Sequence, residues 1–305
     1  MHSSIRRRTA TTVSVLGTVV LVAGGCQAQP TAAPRTQSSV VAPQSNAVPL
    51  PATPPAQPSA GLTDLDARMQ EATSEASAKG ADIKAVVMDR TTGQVVSNGD
   101  GQAFPIASVV KLFIADDLLL QVAQGTTTLS PGDRKLLDLM LRSSDDSAAQ
   151  QFWDRSGGNA IIARVKDRYG LSGTTAPYNG HWDVTTSTAG DLVRYYGMLL
   201  DGSGGLPPEQ AEVILGDLAQ STPTGTDGYP QRFGIPEGLY AEPVAVKQGW
   251  FCCWNGGNQL HVSTGVIGAD RRYVMAIGSL DPTSEAGARS DITQAVETMF
   301  PGGKI

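Results

Sequence analysis

A serine hydroxyl becomes a useful nucleophile at neutral pH only when a neighbouring group takes its proton. Ser108 and Lys111 are spaced to form such a pair. On a helix, residues three apart share a face, so the Lys111 amine lies within reach of the Ser108 hydroxyl. Burial and nearby positive charge both favour the neutral amine, which is then a base. The chemistry this pair could do is nucleophilic attack by Ser108 with Lys111 as its base.

The surrounding sequence supplies elements to position them. Ala85-Val86-Val87-Met88 reads as a strand, Asp89 to Gly93 as a turn, and Gln94-Val95-Val96-Ser97 as the returning strand. Phe104-Pro105-Ile106-Ala107 then leads into Ser108, and the run to about Ala123 is apolar on nearly every face. A helix that is hydrophobic all round is buried, so Ser108 stands at the mouth of a buried helix, either as its N-cap or as a nucleophile. Ser130-Pro131 opens a helix that ends near Arg142. Ser144-Asp145-Asp146 enters the next helix, with Phe152 and Trp153 on its apolar side, and Asp145 suits that helix's N-terminus. Pro243 to Lys247 is a short β-branched strand, followed by strands over Gln259–Gly268 and Tyr273–Gly278. Leu65, Met69, Ala72 and Ala76 mark an opening helix, and a closing helix near Asp291 to Met299 would pack beside it.

Ser108-Val109-Val110-Lys111, Ser144-Asp145-Asp146 and Lys247-Gln248-Gly249 stand in an order that resembles the serine β-lactamases and penicillin-binding proteins. Those families carry Ser-x-x-Lys, Ser-x-Asn and Lys-Thr-Gly. The run from Ser144 to Ala149 is similar to Ser-Asp-Asn-Thr-Ala-Ala of class A enzymes without a gap. The resemblance implies an α/β fold, with an antiparallel sheet flanked by helices and an all-helical lobe inserted over roughly 112–242. It implies Ser108, Lys111, Ser144 and Lys247 as the catalytic set. It places Asp146, Gln248 and Gly249 against substrate, and His261 near the position of an arginine that holds a substrate carboxylate. Two positions depart from the pattern. Asp146 replaces an asparagine, and a carboxylate cannot donate to a substrate carbonyl as an amide can. Ionised, it would also repel substrate carboxylates and hold Lys111 charged. Gln248 replaces a hydroxyl residue.

A third departure concerns water. Class A enzymes activate the deacylating water with a loop glutamate. Here Leu171 to Val184 contains no glutamate, and His181 and Asp183 are its acid–base groups. An acyl-enzyme would form and persist.

The N-terminus sets the compartment. Arg6-Arg7-Arg8, an apolar run over Val13–Val22, small residues Ala23-Gly24-Gly25 and then Cys26 read as a signal peptide over 1–25 with a lipobox-like end. Lipidation at Cys26 is expected, with cleavage without lipid and a retained anchor as the other outcomes. Residues 26–60, rich in Pro, Ala, Ser and Gln, would be a tether unable to pack a core. The folded domain is then 61–305, similar to alanine-rich actinobacterial envelope lipoproteins and held at the outer face of the cell membrane. Loss of the three arginines takes the net charge from −6 to about −9, which argues against nucleic acid. Three histidines and three cysteines show no metal-ligand spacing, and no cofactor is implied. Cys252 and Cys253 form either a vicinal bridge or two thiols, within an aromatic loop with Trp250, Phe251 and Trp254.

Two classes of function follow. The favoured one is a serine acyl-transfer enzyme with weak β-lactamase activity at most, whose ligand is a β-lactam or a D-Ala cell-wall peptide. The other is a catalytically silent binding or scaffold lipoprotein of the envelope. Protein partners are not named by the sequence.

Overall fold

The computed structural model describes residues 62–99 and 101–305. The expected signal peptide, Cys26 and the tether lie outside the described residues.

After α1 (Leu65–Ala78), the chain forms β1 (Asp82–Asp89), β2 (Val95–Ser97) and β3 (Phe104–Pro105). A 3-10 turn over Ala107–Val110 carries Ser108 into α2 (Lys111–Ala123). The helices α3 (Pro131–Arg142), α4 (Asp146–Arg155) and α5 (Asn159–Tyr169) follow, then β4 (Thr186–Ser187), α6 (Ala189–Asp201), α7 (Pro208–Ala219) and α8 (Ile235–Gly238). The chain closes with β5 (Val244–Trp254), β6 (Asn258–Ile267), β7 (Tyr273–Asp281) and α9 (Glu285–Met299). The main sheet is antiparallel in the order β2-β1-β7-β6-β5, and β3 pairs with β4 in a separate ribbon.

Side chains alternate across a strand, and here both faces are apolar. Ile83, Ala85, Val87, Met275 and Ile277 join the core under α1 and α9. Val86, Val274 and Ala276 face the opposite core, built on α2 and α6. The expected sandwich of sheet between helical layers is therefore observed. The helical insertion ends sooner than expected: Phe233, Ile235 and Leu239 belong to the α1–α9 core. The last helix also starts earlier than Asp291, because Ser284 caps it by accepting from the Gly287 amide at 3.1 Å.

α2 runs through the lobe as expected, with Leu112, Phe113, Ile114 and Leu118 buried. Each such side chain contributes about 1.5–3 kcal/mol on leaving water. Two acids in this helix were not singled out in the sequence. Buried Asp116 pairs with Arg168 and accepts from the hydroxyls of Tyr169 at 2.5 Å and Tyr195 at 3.3 Å. Asp117 takes two bonds from Arg164, at 2.6 and 2.7 Å. These contacts fasten α2 to α5 and α6, and so fix the helix that begins at Lys111.

Candidate active site

The site is assembled where α2, the α3–α4 junction and the edge strand β5 meet. Asp145 caps α4, its Oδ1 accepting from the Ala148 amide at 2.7 Å. That bond fixes the turn in which Ser144 sits, with φ 54°. Ala107, just before the serine, has φ 45°. Both are left-handed conformations that cost a residue with a Cβ about 1–3 kcal/mol, and such costs gather at functional sites.

Lys111 is fully buried. Its Nζ lies 2.7 Å from Ser108 Oγ, 2.7 Å from the Ser144 carbonyl oxygen, 3.1 Å from Ser144 Oγ and 2.5 Å from Asp146 Oδ1. An ammonium would donate its three protons within this set. A neutral amine would donate two and turn its lone pair to the Ser108 hydroxyl. Burial pushes Lys111 below the ordinary lysine range, and the adjacent Asp146 carboxylate works against that shift. Asp146 thus opposes loss of the Lys111 proton, as expected, but burial is the larger effect.

Lys247 is buried beneath the same point, donating to Ser144 Oγ at 2.9 Å and to the Gln248 carbonyl at 2.8 Å. Burial first, and then the charge of Lys111, hold it well below its usual range. Ser144 Oγ stands between the two lysine nitrogens. If both donate to its lone pairs, its own proton is left to point toward a leaving group.

Gly249 explains how β5 comes so close. A Cβ there would fall 2.5 Å from the Ile106 carbonyl oxygen and 3.2 Å from the Ser108 nitrogen. Only a residue without a side chain lets this strand lie against the turn that carries Ser108. The expected loop of aromatics after Lys247 is part of β5 itself, in continuous register with β6 through Phe251 and Cys252. Cys252 and Cys253 are joined as a vicinal disulfide near the end of that strand.

The cleft above Ser108 has a volume of about 260 Å³ and is lined by Asp146, Gln150, His181, Trp182, Asp183, Asp227, Trp250 and Phe251. Trp182 closes its floor, with its ring centroid 4.8 Å from Lys111 Nζ and its Nε1 donating to Gln150 at 3.2 Å. An indole on this loop therefore faces the lysine.

Two expected substrate contacts are placed elsewhere. Gln248 is buried and donates to the carbonyls of Gln231 at 3.1 Å and Phe233 at 2.6 Å, so its side chain braces β5 from behind. His261 is also buried, with Nε2 2.6 Å from the Tyr229 hydroxyl. Burial, then the charge of Arg289, pushes it down to about 3, so the ring is neutral and cannot balance a carboxylate. Asp146, expected against substrate, lines the cleft but is paired to Lys111.

Sequence reasoning missed Asp227. Its segment folds back on the α3–α4 junction through the Thr222 amide to the Arg142 carbonyl (2.9 Å) and the Thr226 amide to the Ser143 carbonyl (2.8 Å). Trp250 stacks on Tyr229 at 4.8 Å and donates to Asp227 at 3.3 Å. Asp227-Gly228 signals a turn, but nothing local tells that the turn reaches the serine.

This sheet and helical lobe form the fold of the serine β-lactamases and penicillin-binding proteins. The "Beta-lactamase enzyme family" matches over residues 64–131. The structure of PBP-A superposes with a TM-score of 0.64 at 20% identity, covering 78% of this chain and 95% of that one. A class A β-lactamase from Mycobacterium abscessus gives 0.59 at 21%, covering 76% and 97%. A β-lactamase from Chitinophaga pinensis gives 0.62 at 16%, covering 77% and 98%. In sequence, the Mycobacterium tuberculosis protein named "Putative lipoprotein LppW" is 61% identical over 255 residues, 84% of this chain and 81% of that protein. The chain belongs to the group that contains LppW and has the β-lactamase-like fold.

Proposed function

We infer that this chain is a lipid-anchored envelope protein that forms a covalent acyl-serine at Ser108 and releases the acyl group slowly. The observation that carries this reading is Lys111 Nζ at 2.7 Å from Ser108 Oγ, linked through Ser144 to Lys247. In its neutral form Lys111 takes the Ser108 proton as Oγ attacks a β-lactam or D-Ala peptide carbonyl. Ser144 delivers a proton to the departing nitrogen. The amide of Ser108 and those near Lys247 on β5 would hold the developing oxyanion. Trp182 packs by Lys111, and the loop that carries it has no glutamate, which supports slow release. PBP-A offers a parallel, since a point mutant of it is known as an acyl-enzyme complex with penicillin G. The name of LppW supports an anchor at Cys26.

Intact-mass spectrometry of protein recovered from membranes tests both parts. A lipid mass lost in Cys26→Ser and a penicillin G adduct lost in Ser108→Ala are expected. An adduct that survives Ser108→Ala removes the nucleophile from the account. No adduct over hours, with folding intact, favours the silent scaffold.

A further inference from the structure

The walls of the cleft carry an unusual charge for a site expected to take anionic ligands. Three carboxylates, Asp146, Asp183 and Asp227, line it, and among the described lining residues there is no lysine or arginine. Lys111 and Lys247 lie beneath the surface and are committed to Ser108, Ser144, Asp146 and the Gln248 carbonyl. Arg289 packs over Tyr229, at 4.9 Å, and lines a different surface pocket with Arg232 and Glu237. The neutral His261 is walled off behind the same tyrosine. A substrate carboxylate entering this cleft finds no cation to meet it.

The acids are not equivalent. Asp146 is matched by Lys111. Asp227 is oriented by the Tyr229 amide at 2.9 Å and by Trp250 Nε1. Asp183 makes no hydrogen bond or ion pair among the described residues, yet faces the cleft. Trp182, Trp250 and Phe251 add aromatic surface between them. Carboxylates interleaved with aromatic faces are the surroundings that favour an alkylammonium, through Coulomb attraction and the ring quadrupole.

We propose that the Ser108 cleft selects acyl donors that carry a positively charged amine close to the scissile carbonyl, and disfavours donors whose carboxylate lies there. The inference rests on Ser108 as nucleophile and narrows its substrate class. The site itself is set by the serine and its lysine; the acids decide what enters. It separates this chain from a site built around carboxylate recognition, and it favours an amine-bearing peptide over a simple penicillin.

Three p-nitrophenyl esters of similar length test it: the 4-(trimethylammonio)butanoate, its uncharged isostere 5,5-dimethylhexanoate, and the glutarate monoester. In each, Ser108 Oγ bonds to the acyl carbon, its proton passes to Lys111, and p-nitrophenolate leaves with the electrons of the broken ester bond. The acylation rate constant, read from the nitrophenolate burst and mapped to Ser108, is expected to be at least tenfold larger for the cationic ester than for its isostere. The glutarate ester should be slowest. The preference should shrink with added salt, and should fall toward unity in Asp183→Asn with Asp227→Asn. A neutral or anionic ester that acylates Ser108 as fast as the cation overturns the inference while leaving the nucleophile intact.

If no ester reacts, the nucleophile fails instead, and binding decides selectivity separately. Tryptophan fluorescence titration with the corresponding unreactive amides uses Trp182 and Trp250 as reporters. At least tenfold tighter binding of the cationic amide, lost in the double variant, supports the inference. Equal binding of the two amides overturns it.

Discussion

Asp146 sits 2.5 Å from the Lys111 amine, which in the proposed acylation must lose its charge, while most of its side chain is in solvent. It is therefore placed to regulate the base rather than to build the core. Replacing it by asparagine removes the charge that favours the ammonium form of Lys111 and keeps nearly the same shape. The acylation rate of Asp146→Asn at neutral pH is expected to rise roughly tenfold, since each unit of pKa changes the neutral fraction tenfold. The rise in rate with pH should move toward acid, because removing the carboxylate lowers the pH at which Lys111 deprotonates. A rate–pH profile identical to wild type would show that Asp146 does not control Lys111. Gln248, by contrast, gives its amide to two backbone carbonyls behind the strand. Its exchange for threonine would act on strand packing before it acted on any ligand.

At the scale of elements, the proposed acylation depends on how closely β5 approaches the turn before α2. Gly249 sets that distance. In Gly249→Ala the new methyl would meet the Ile106 carbonyl at 2.5 Å and the Ala107 Cβ at 3.2 Å, so the strand must withdraw. Overpacking of this kind costs about 1–3 kcal/mol of stability. Misplacing one oxyanion donor costs roughly 10²–10³ in rate. The variant should therefore remain folded in a thermal melt and lose about two orders of magnitude in acylation. A melt unchanged together with full acylation would mean that the strand has slack. The short pairing of β3 with β4 holds the other side: the Ile106 amide donates to the Thr185 carbonyl at 2.9 Å, tying the residue before Ala107 to the segment that carries Trp182.

For the whole molecule, Asp89 on one side and Asp217 and Asp281 on the other have opposite effects on stability as pH changes. Asp89 at the end of β1 is gripped by Arg272 at 2.9 and 2.6 Å, which lowers its carboxyl to about 2. Its folded value is below its unfolded one, so it contributes about 2 kcal/mol above pH 4 that is lost as pH falls through 2. Burial instead raises Asp217 and Asp281 to about 6, with Asp138 and Asp291 respectively adding to the shift. Their folded values lie above the unfolded 3.8, so the folded state keeps its advantage from these groups at pH 4 and loses it as pH rises toward 6. Asp217 Oδ2 is buried with no partner. Asp217→Asn is expected to raise unfolding free energy by about 1–3 kcal/mol at pH 7 and by little at pH 4. Urea denaturation at the two pH values measures the difference, and an equal gain at both would place the effect in packing rather than charge.

By itself the sequence determined the parts of the site whose logic is local. Ser108 and Lys111 lie three residues apart at the mouth of a helix apolar on nearly every face, and Asp145 caps the helix that follows Ser144. Short apolar and β-branched runs marked the strands, and the spacing of Leu65, Met69, Ala72 and Ala76 marked α1. The departures at Asp146 and Gln248 were visible, as was the loop without a glutamate. Tertiary structure alone decided what these residues do. Strand alternation could not tell that Gln248 would find carbonyls behind β5, nor that His261 would be sealed behind Tyr229, because those partners come from a segment distant in sequence. Asp227 enters the cleft only because residues 222–231 fold onto the end of α3. The charge seen by a ligand is a sum over surfaces from separate elements, and no local spacing encodes it. The buried pairing of Asp116 with Arg168, 52 positions apart, follows the same rule. A cost of burying charge is met by partners that only the folded chain brings together.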